Sequence, residues 1–294
     1  MPAVFVLIWS TGFVVARLGM PHAPPMGFLA VRYALSVALF LVWIALARAA
    51  WPVGRAQWGH LAVTGVLMHA GYLGGVWAAV KLGLGAGTAA LIVGLQPLLT
   101  AVWVALSGPQ HRVGWRQWLG LALGFGGLAL VVWHKLGSGL ATPFNVSMAV
   151  LALASITAGT LYQKRHVAPC DVRTASVVQL SAAFVVTLPL ALLEAEAMSL
   201  HRDLVLAMAW SVMALTLGGS SLLYLLIQRG AATRVTSLMY LVPPCTAVLA
   251  WAMFDEPLTA VMGLGMVLAA TGVWLVLREP AQPSGTALSS GQAR

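Results

Sequence analysis

The side chains of this sequence that could bind a small molecule lie inside apolar segments, at intervals of three or four residues. His69, Tyr72 and Val76 share one helical face at this spacing. A polar group in hydrocarbon is costly and usually faces protein or a water-filled cavity. Aromatic walls with a few hydrogen-bonding groups are typical of small-molecule sites. The predicted substrate-binding residues are His69, Tyr72, Trp9, Trp77, Gln96, Trp103, Tyr224, Ser237 and Tyr240.

A structural role explains several of these residues equally well. Tyrosine and glutamine can bond neighbouring helices of a membrane bundle, and for Gln96 or Tyr224 this is as good an explanation as substrate binding. Packing accounts for Trp9 and Trp77 about as well as a place in a cavity wall. Arg32 lies inside an apolar segment, where we expect it to snorkel or to cap carbonyls. The alternative for Arg32 is a counter-ion for a substrate carboxylate.

Three prolines inside apolar segments, Pro97, Pro243 and Pro244, are predicted to act as hinges or gates. Proline removes a backbone hydrogen bond within a helix and permits a kink. The apolar segments contain no H-E-x-x-H pair, no nucleophile–base pair and no phosphate-binding G-x-x-x-x-G-K-[ST] loop. We therefore predict no catalytic residue, no metal site and no cofactor, and the protein is not expected to be an enzyme.

The elements that must position these residues are membrane-spanning helices. Of the 294 residues, 60% are hydrophobic and 8% are charged, whereas a soluble domain carries about 25% charged residues. Hydrocarbon can be the solvent for such a chain if each spanning helix supplies about 20 mostly apolar residues. The predicted spans of this all-α membrane protein are 2–19, 26–47, 59–80, 86–106, 117–133, 146–163, 174–193, 204–227, 231–253 and 258–277.

The positions of lysine and arginine predict the orientation of these ten spans. The net charge is +9, but the basic residues are scattered at helix ends and form no stripe for nucleic acid. Most flank one side of the spans, which should be cytoplasmic. Both termini then lie in the cytoplasm, and the chain crosses the cell inner membrane. The first apolar segment lacks the pattern of a cleaved signal peptide, and the tail at 279–294 is predicted to be disordered.

An internal repeat divides the sequence into two halves. The sequence PLLTAV at 97–102 is similar to PPCTAV at 243–248, and Gly120 and Gly127 match Gly265 and Gly272 with the same separation. We therefore predict two five-helix repeats, at 1–135 and 144–278. Five is odd, so the copies enter the membrane in opposite orientations, an architecture that recurs in secondary transporters.

The sequence resembles the ten-helix EamA-type branch of the drug/metabolite transporter superfamily over nearly its whole length. The matching pieces are WSTGF at 9–13, FLAVRY at 28–33, the Pro97 helix with the Gly-rich helix after it, and FDEPLT at 254–259. The corresponding loop of the first half, SGPQHR at 107–112, lacks the glutamate of the second. Within the branch the chain looks most like the YddG-type exporters of aromatic amino acids.

The resemblance implies export of small solutes without nucleotide hydrolysis. Neutral or aromatic amino acids suit the aromatic residues, and alternating access as a uniporter suits the lack of Asp and Glu within the predicted spans. The alternatives are a proton-coupled exporter of drugs or metabolites, a channel, and an assembly subunit that does not transport. The expected partners are the small-molecule substrate and membrane lipid, without nucleic acid, and the protein is expected to be a monomer or a weak dimer.

Overall fold

The computed structural model describes residues 2–106, 115–137, 141–222 and 241–277, in which all regular structure is helical. A helix bonds its own backbone groups, which is the requirement for a chain segment in hydrocarbon. The helices are α1 (Pro2–Gly19), α2 (Pro25–Ala47), α3 (Arg55–Lys81), α4 (in two parts, Ala86–Val93 and Gln96–Leu106), α5 (Trp115–Gly137), α6 (Pro143–His166), α7 (Val172–Leu193), α8 (Arg202–Ser220), α9 (Val242–Phe254) and α10 (Ala260–Leu277).

These helices lie at the predicted spans, with ends that differ by a few residues. Five of them, α2, α3, α6, α7 and α8, are long and apolar enough to cross a membrane, and shorter apolar helices occupy parts of α4, α5, α9 and α10. Parts of the predicted spans 204–227 and 231–253 fall outside the described residues, as does the predicted tail at 279–294. The chain is therefore an all-helical membrane protein, and its number of crossings stays a prediction.

The contacts between helices follow a regular pattern. The α5–α10, α2–α7 and α4–α9 pairs each join a helix to the one five places later. The other main contacts come in matched pairs, since α1–α8 corresponds to α3–α6, α1–α9 to α4–α6, and α2–α8 to α3–α7. Exchanging each helix with its partner five places away leaves these contacts unchanged, whereas α1–α4 and α2–α3 have no counterpart of similar extent among the described residues.

The glycines that match between the two halves meet across the α5–α10 contact. A Cβ on Gly127 would lie 2.6 Å from the carbonyl oxygen of Gly265, and a Cβ on Gly265 would lie 2.8 Å from that of Gly127. A Cβ on Gly272 would meet the Gly120 carbonyl oxygen and lie 2.6 Å from the Gly124 nitrogen. The helices approach backbone to backbone, as small residues allow in membrane proteins.

The α5–α10 contact gives a prediction about stability. We expect Gly272→Ala to lower the melting temperature of the detergent-purified protein, because the new methyl group meets fixed backbone atoms of α5 and overpacking costs about 1–3 kcal/mol. Gly263→Ala in the same helix is the control, since nothing lies within 4 Å of its Cβ position. Equal melting temperatures for the two variants would contradict the close contact.

Candidate substrate-binding cavity

A cavity of about 80 Å³ lies between helices of the two halves, with room for several water molecules. Side chains from α1, α2 and α3 line one part of it, and side chains from α6, α7 and α8 line the other. Its lining is Trp9, Gly12, Phe13, Arg32, Met68, His69, Tyr72, Leu73, Val76, Trp77, Ile156, Gln163, Ser176, Gln179, Leu180, Leu215, Thr216 and Ser220.

Two helices widen where they pass the cavity. In α3 the segment Val66–Gly71 is a π-helix, and in α8 the segment Ser211–Ser220 is another. Hydroxyl groups support the wider turns of α8, because Thr216 Oγ1 donates to the Ser211 carbonyl oxygen at 2.9 Å and Ser220 Oγ to that of Leu215 at 3.3 Å. π-helical turns often lie at functional sites. These two turns contain His69 and Thr216, which both line the cavity.

Arg32 brings a positive charge to the cavity. Its side chain is 4% exposed, and both Nε and Nη2 donate to Thr216 Oγ1 at 3.1 Å. The expectation that Arg32 snorkels to the interface is wrong, because its guanidinium is held between α2 and α8.

The two residues on which the binding prediction centred are held by neighbours. The side chain of His69 is hydrogen-bonded to Gln179 of α7, and the His69 carbonyl oxygen accepts a bond of 2.9 Å from the Tyr33 hydroxyl. The Tyr72 hydroxyl accepts a hydrogen bond from the Trp9 indole. Helices α1, α2, α3 and α7 thus fix these groups relative to one another.

An apolar wall closes one part of the cavity. Trp77 is 1% exposed and stacks on the buried ring of Phe28, with ring centroids 4.3 Å apart. Phe13 and Leu180 add buried apolar surface to the lining. Both sequence interpretations of Trp77, packing and a cavity wall, describe its position.

Beyond this wall, charged side chains connect the ends of several helices. We call this end of the helices the Glu256 end and define it by Arg17, Lys81, Glu194, Glu196 and Glu256. Two of the acids cap helices of the first half: Glu194 accepts from the nitrogens of Met26 at 3.0 Å and Gly27 at 2.8 Å, and Glu256 from that of Ala86 at 3.1 Å. Glu256 also pairs with Arg17, and Lys81 with Glu196. The carboxylates of Glu194 and Glu256 thus lie at the positive, N-terminal ends of the helix dipoles of α2 and α4.

The cavity extends toward the opposite end, which we call the Arg173 end. Ser176 lies one turn inside the start of α7, and Gln163 lies three residues before the end of α6. At this end Asp171 caps α7, and the adjacent Arg173 guanidinium lowers the pKa of the Asp171 carboxyl. The lining therefore comes within about one helical turn of the Arg173 end.

Not every predicted binding residue reaches the cavity. His69, Tyr72, Trp9 and Trp77 line it. Gln96 instead donates a 3.0 Å hydrogen bond to Thr160 of α6, which is the helix-bonding role that was its alternative. The remaining three positions, Tyr224, Ser237 and Tyr240, lie outside the described residues, whereas Trp103 is 63% exposed on α4.

The three prolines lie at the starts of helices. Pro97 is the second residue of the second part of α4, just after the break at Gly94, and Pro243 and Pro244 lie in the first turn of α9. Proline is tolerated there because its missing N–H has no partner in a first turn. The break and the prolines face each other, since a Cβ on Gly94 would lie 2.8 Å from Pro243 Cγ.

One group of possible metal ligands lies outside the cavity. Potential ligand atoms of His22, His201 and Asp203 lie within 4.8 Å of one another. The two imidazole rings stack with centroids 4.1 Å apart, and His201 Nδ1 accepts a hydrogen bond from the Asp203 nitrogen as the cap of α8. These contacts tie the loop after α1 to the start of α8.

Sequence reasoning missed the polar side chains that α7 and α8 bring to the cavity. Gln179 and Thr216 are each less than a tenth exposed, and each lies in a largely apolar span that also contains several serine or threonine residues. A polar residue that interrupts an apolar span was a usable signal for both. The π-helical turns left no comparable signal, because the predicted faces assume a regular helical period.

The arrangement can hold a small molecule with both apolar and polar parts. The described lining combines aromatic rings, a guanidinium, an imidazole, amides and hydroxyl groups, and it contains no Asp or Glu. These groups are suited to binding a ligand through hydrogen bonds, charge and aromatic contacts.

Comparisons with known proteins agree with this fold. A solved crystal structure superposes with a TM-score of 0.67 at 16% identity, covering 93% of this chain and 94% of the other. The "Probable amino-acid metabolite efflux pump" of Escherichia coli (strain K12) is 23% identical over 92% of this chain and 91% of its own. The "Uncharacterized transporter YvbV" of Bacillus subtilis (strain 168) is 25% identical over 93% and 89%.

A further relative, the "Uncharacterized inner membrane transporter YedA" of Escherichia coli (strain K12), is 26% identical over 62% of this chain and 59% of its own. The model of the EamA-like transporter family matches twice, at residues 3–133 and 144–278. The names of these relatives describe transporters or an efflux pump and no enzyme. The chain therefore belongs to the EamA-like transporter family, as a membrane transporter rather than an enzyme.

Proposed function

We propose that this protein exports small organic solutes, neutral or aromatic amino acids and related metabolites, by alternating access through the cavity between its two halves. The observation that carries the proposal is that both halves contribute to one cavity with aromatic walls and buried polar groups. The amino-acid class is supported by the name of the Escherichia coli efflux pump and by the Trp9, Tyr72 and Trp77 rings in the lining.

Two inverted repeats, residues 1–135 and 144–278, would let the cavity open alternately to either side. The double family match and the matched helix contacts support this division. We propose that the break at Gly94 and the Pro243–Pro244 pair, which face each other, are where α4 and α9 bend. Residues 97 and 243 hold equivalent places in the repeats, so both halves can bend alike.

The structure corresponds, in this proposal, to a conformation closed toward the outside of the cell. The Glu256 end is tied by ion pairs and helix caps, and Trp77 with Phe28 lies beneath them, while the cavity lining reaches the Arg173 end. The excess of basic residues places the Arg173 end and both termini in the cytoplasm. The name of one relative supports the inner membrane as the location.

Uniport is the mechanism that the side chains support best. Proton-coupled carriers commonly use carboxylates within the membrane, and in the described helices every acid lies at a helix end. A cationic drug would find no such carboxylate in the described lining. Saturable uptake would distinguish such a carrier from a channel, and because both halves of one chain form the cavity, we expect a monomer or a weak dimer.

The test is uptake of radiolabelled phenylalanine, methionine and leucine into liposomes that contain the purified protein, with and without an imposed pH gradient. We expect saturable uptake that the pH gradient does not change. His69→Ala should lower uptake about tenfold, since it removes the hydrogen bond to Gln179 in the cavity. His134→Ala, an exposed histidine of α5, is the matched control and should transport normally.

Other outcomes would contradict the mechanism, the substrate class or the position of the binding site. Stimulation by a pH gradient would replace uniport with proton coupling, and uptake that does not saturate would indicate a channel. If the vesicles pass another solute but no amino acid, the proposed substrate class is wrong. Equal activity of His69→Ala and His134→Ala would place the binding site elsewhere.

A further inference from the structure

The charge of Arg32 has no balancing carboxylate in the described structure. It is the one lysine or arginine there that is buried. The acids of the Glu256 end cap helices or pair with Arg17 and Lys81, and Asp171 pairs with Arg173. A buried charge is stable only if it is paired or well hydrogen-bonded. A negatively charged ligand in the cavity would therefore stabilise the Arg32 guanidinium.

The orientation of the guanidinium leaves one of its edges available. Thr216 occupies the edge formed by Nε and Nη2, where both nitrogens donate to Oγ1. A guanidinium has five N–H groups in a fixed plane, and no other acceptor for Arg32 exists among the described residues. The remaining edge, formed by Nη1 and Nη2, has the geometry that binds the two oxygens of a carboxylate.

A second donor in the lining also lacks an acceptor. Gln179 is 7% exposed, and its Nε2 has no hydrogen-bond partner among the described residues. The amide bonds His69, and its NH₂ group, which has almost no accessible surface in this conformation, reaches a ligand when the side chain turns toward the cavity. A buried donor without a partner is costly, so both unsatisfied groups of this cavity call for an acceptor-rich ligand.

We propose that Arg32 is the anchor for a substrate carboxylate, so that the cargo is a monocarboxylate with an apolar side chain. This inference rests on the proposed transport function and names the group that every cargo must carry. The carboxylate binds the free edge of Arg32, with the Gln179 amide as a second donor, while Trp77 and Phe13 contact the apolar part. Thr216 is a positioning residue, which holds the guanidinium in the plane that meets the carboxylate.

Competition experiments on the wild-type protein test the anchor without any substitution. Uptake of labelled phenylalanine is measured against three compounds that share its phenyl ring: 3-phenylpropanoate, which keeps the carboxylate, phenethylamine, which keeps the amine, and the amide of phenylalanine. We expect 3-phenylpropanoate to compete and the other two to compete about 10- to 100-fold more weakly, the factor that loss of a charge-assisted hydrogen bond brings.

Variants then locate the effect at Arg32. Arg32→Met should weaken 3-phenylpropanoate about 10- to 100-fold while leaving phenethylamine unchanged, and Arg32→Lys should retain part of the affinity. Thr216→Val should weaken the carboxylate compounds less, and Thr216→Ser should restore them. Arg202→Met is the control, because it removes an exposed arginine at the start of α8, the helix that carries Thr216.

Binding measured by tryptophan fluorescence in detergent separates failure of the anchor from failure of transport. If the protein transports no amino acid but 3-phenylpropanoate binds in an Arg32-dependent way, the transport proposal fails and the anchor stands. If phenethylamine competes as well as 3-phenylpropanoate, or if monodisperse Arg32→Met binds 3-phenylpropanoate like the wild type, the anchor is overturned.

Discussion

Gly65→Ala should abolish transport and strongly destabilise the protein. A Cβ at Gly65 would meet the Gln179 carbonyl oxygen and lie 2.5 Å from the Gln179 Cα. These are backbone atoms of α7, which cannot rotate away, so α3 and α7 would have to separate at the residue whose amide bonds His69. Overpacking of this kind costs about 1–3 kcal/mol, and the displacement reaches the cavity directly.

Gly59→Ala is the matched control because it makes the same change in the same helix. Nothing lies within 4 Å of the Gly59 Cβ position, and alanine is favoured over glycine in a helix by up to about 1 kcal/mol. We expect Gly59→Ala to melt at or above the wild-type temperature and to transport normally. If Gly65→Ala melts and transports like Gly59→Ala, the close approach of α3 to α7 is wrong.

Trp77→Ala should have the second large effect. The side chain is 1% exposed, stacks on Phe28 and lies near Gly19 at the end of α1. Its removal leaves a cavity, for which truncation of a buried tryptophan costs about 3–5 kcal/mol. Since Trp77 lies beneath the contacts of the Glu256 end, its loss should also let the enlarged cavity reach that end.

Two measurements check the Trp77 prediction. Thermal melting in detergent, followed by size-exclusion chromatography, should show a marked loss of stability for Trp77→Ala. Trp133→Ala, whose side chain is 79% exposed on α5, should melt close to the wild type. A cysteine substituted at Gly12 in the lining should react faster with an external membrane-impermeant thiol reagent when Trp77 is alanine. An unchanged rate would show that Trp77 does not help to close this end.

Much of the fold follows from the sequence because hydrocarbon leaves few choices to a chain of this composition. The helices α1, α2 and α7 begin and end within a residue or two of the predicted spans, since charge, proline and glycine mark where a helix leaves the apolar phase. The sequence also showed that Gly127 and Gly265 are equivalent positions of the two repeats, and the structure adds that they meet across α5 and α10. Glycine at both positions permits this contact because it has no side chain.

The site was less predictable because it depends on which residues face one another across helices. His69 and Tyr72 were recognisable from their spacing, whereas the role of Arg32 depends on Thr216, 184 residues away in the chain. Gln96 lies beyond the break in α4, so the regular face assumed for it does not hold, and its amide bonds Thr160 instead. The spacing of residues along the sequence does not show which side chains will meet across two helices.

The unbalanced charge of Arg32 has an electrical consequence. A carrier that binds a monoanion at this residue is cationic when empty and neutral when loaded, so each export cycle moves one negative charge outward. A membrane potential of 100 mV, negative inside, contributes about 2.3 kcal/mol to such a step, which supports a concentration ratio of about 50. Export of a monoanionic carboxylate would therefore be electrogenic and proceed against a gradient with neither proton coupling nor ATP, whereas export of a zwitterionic amino acid would move no net charge.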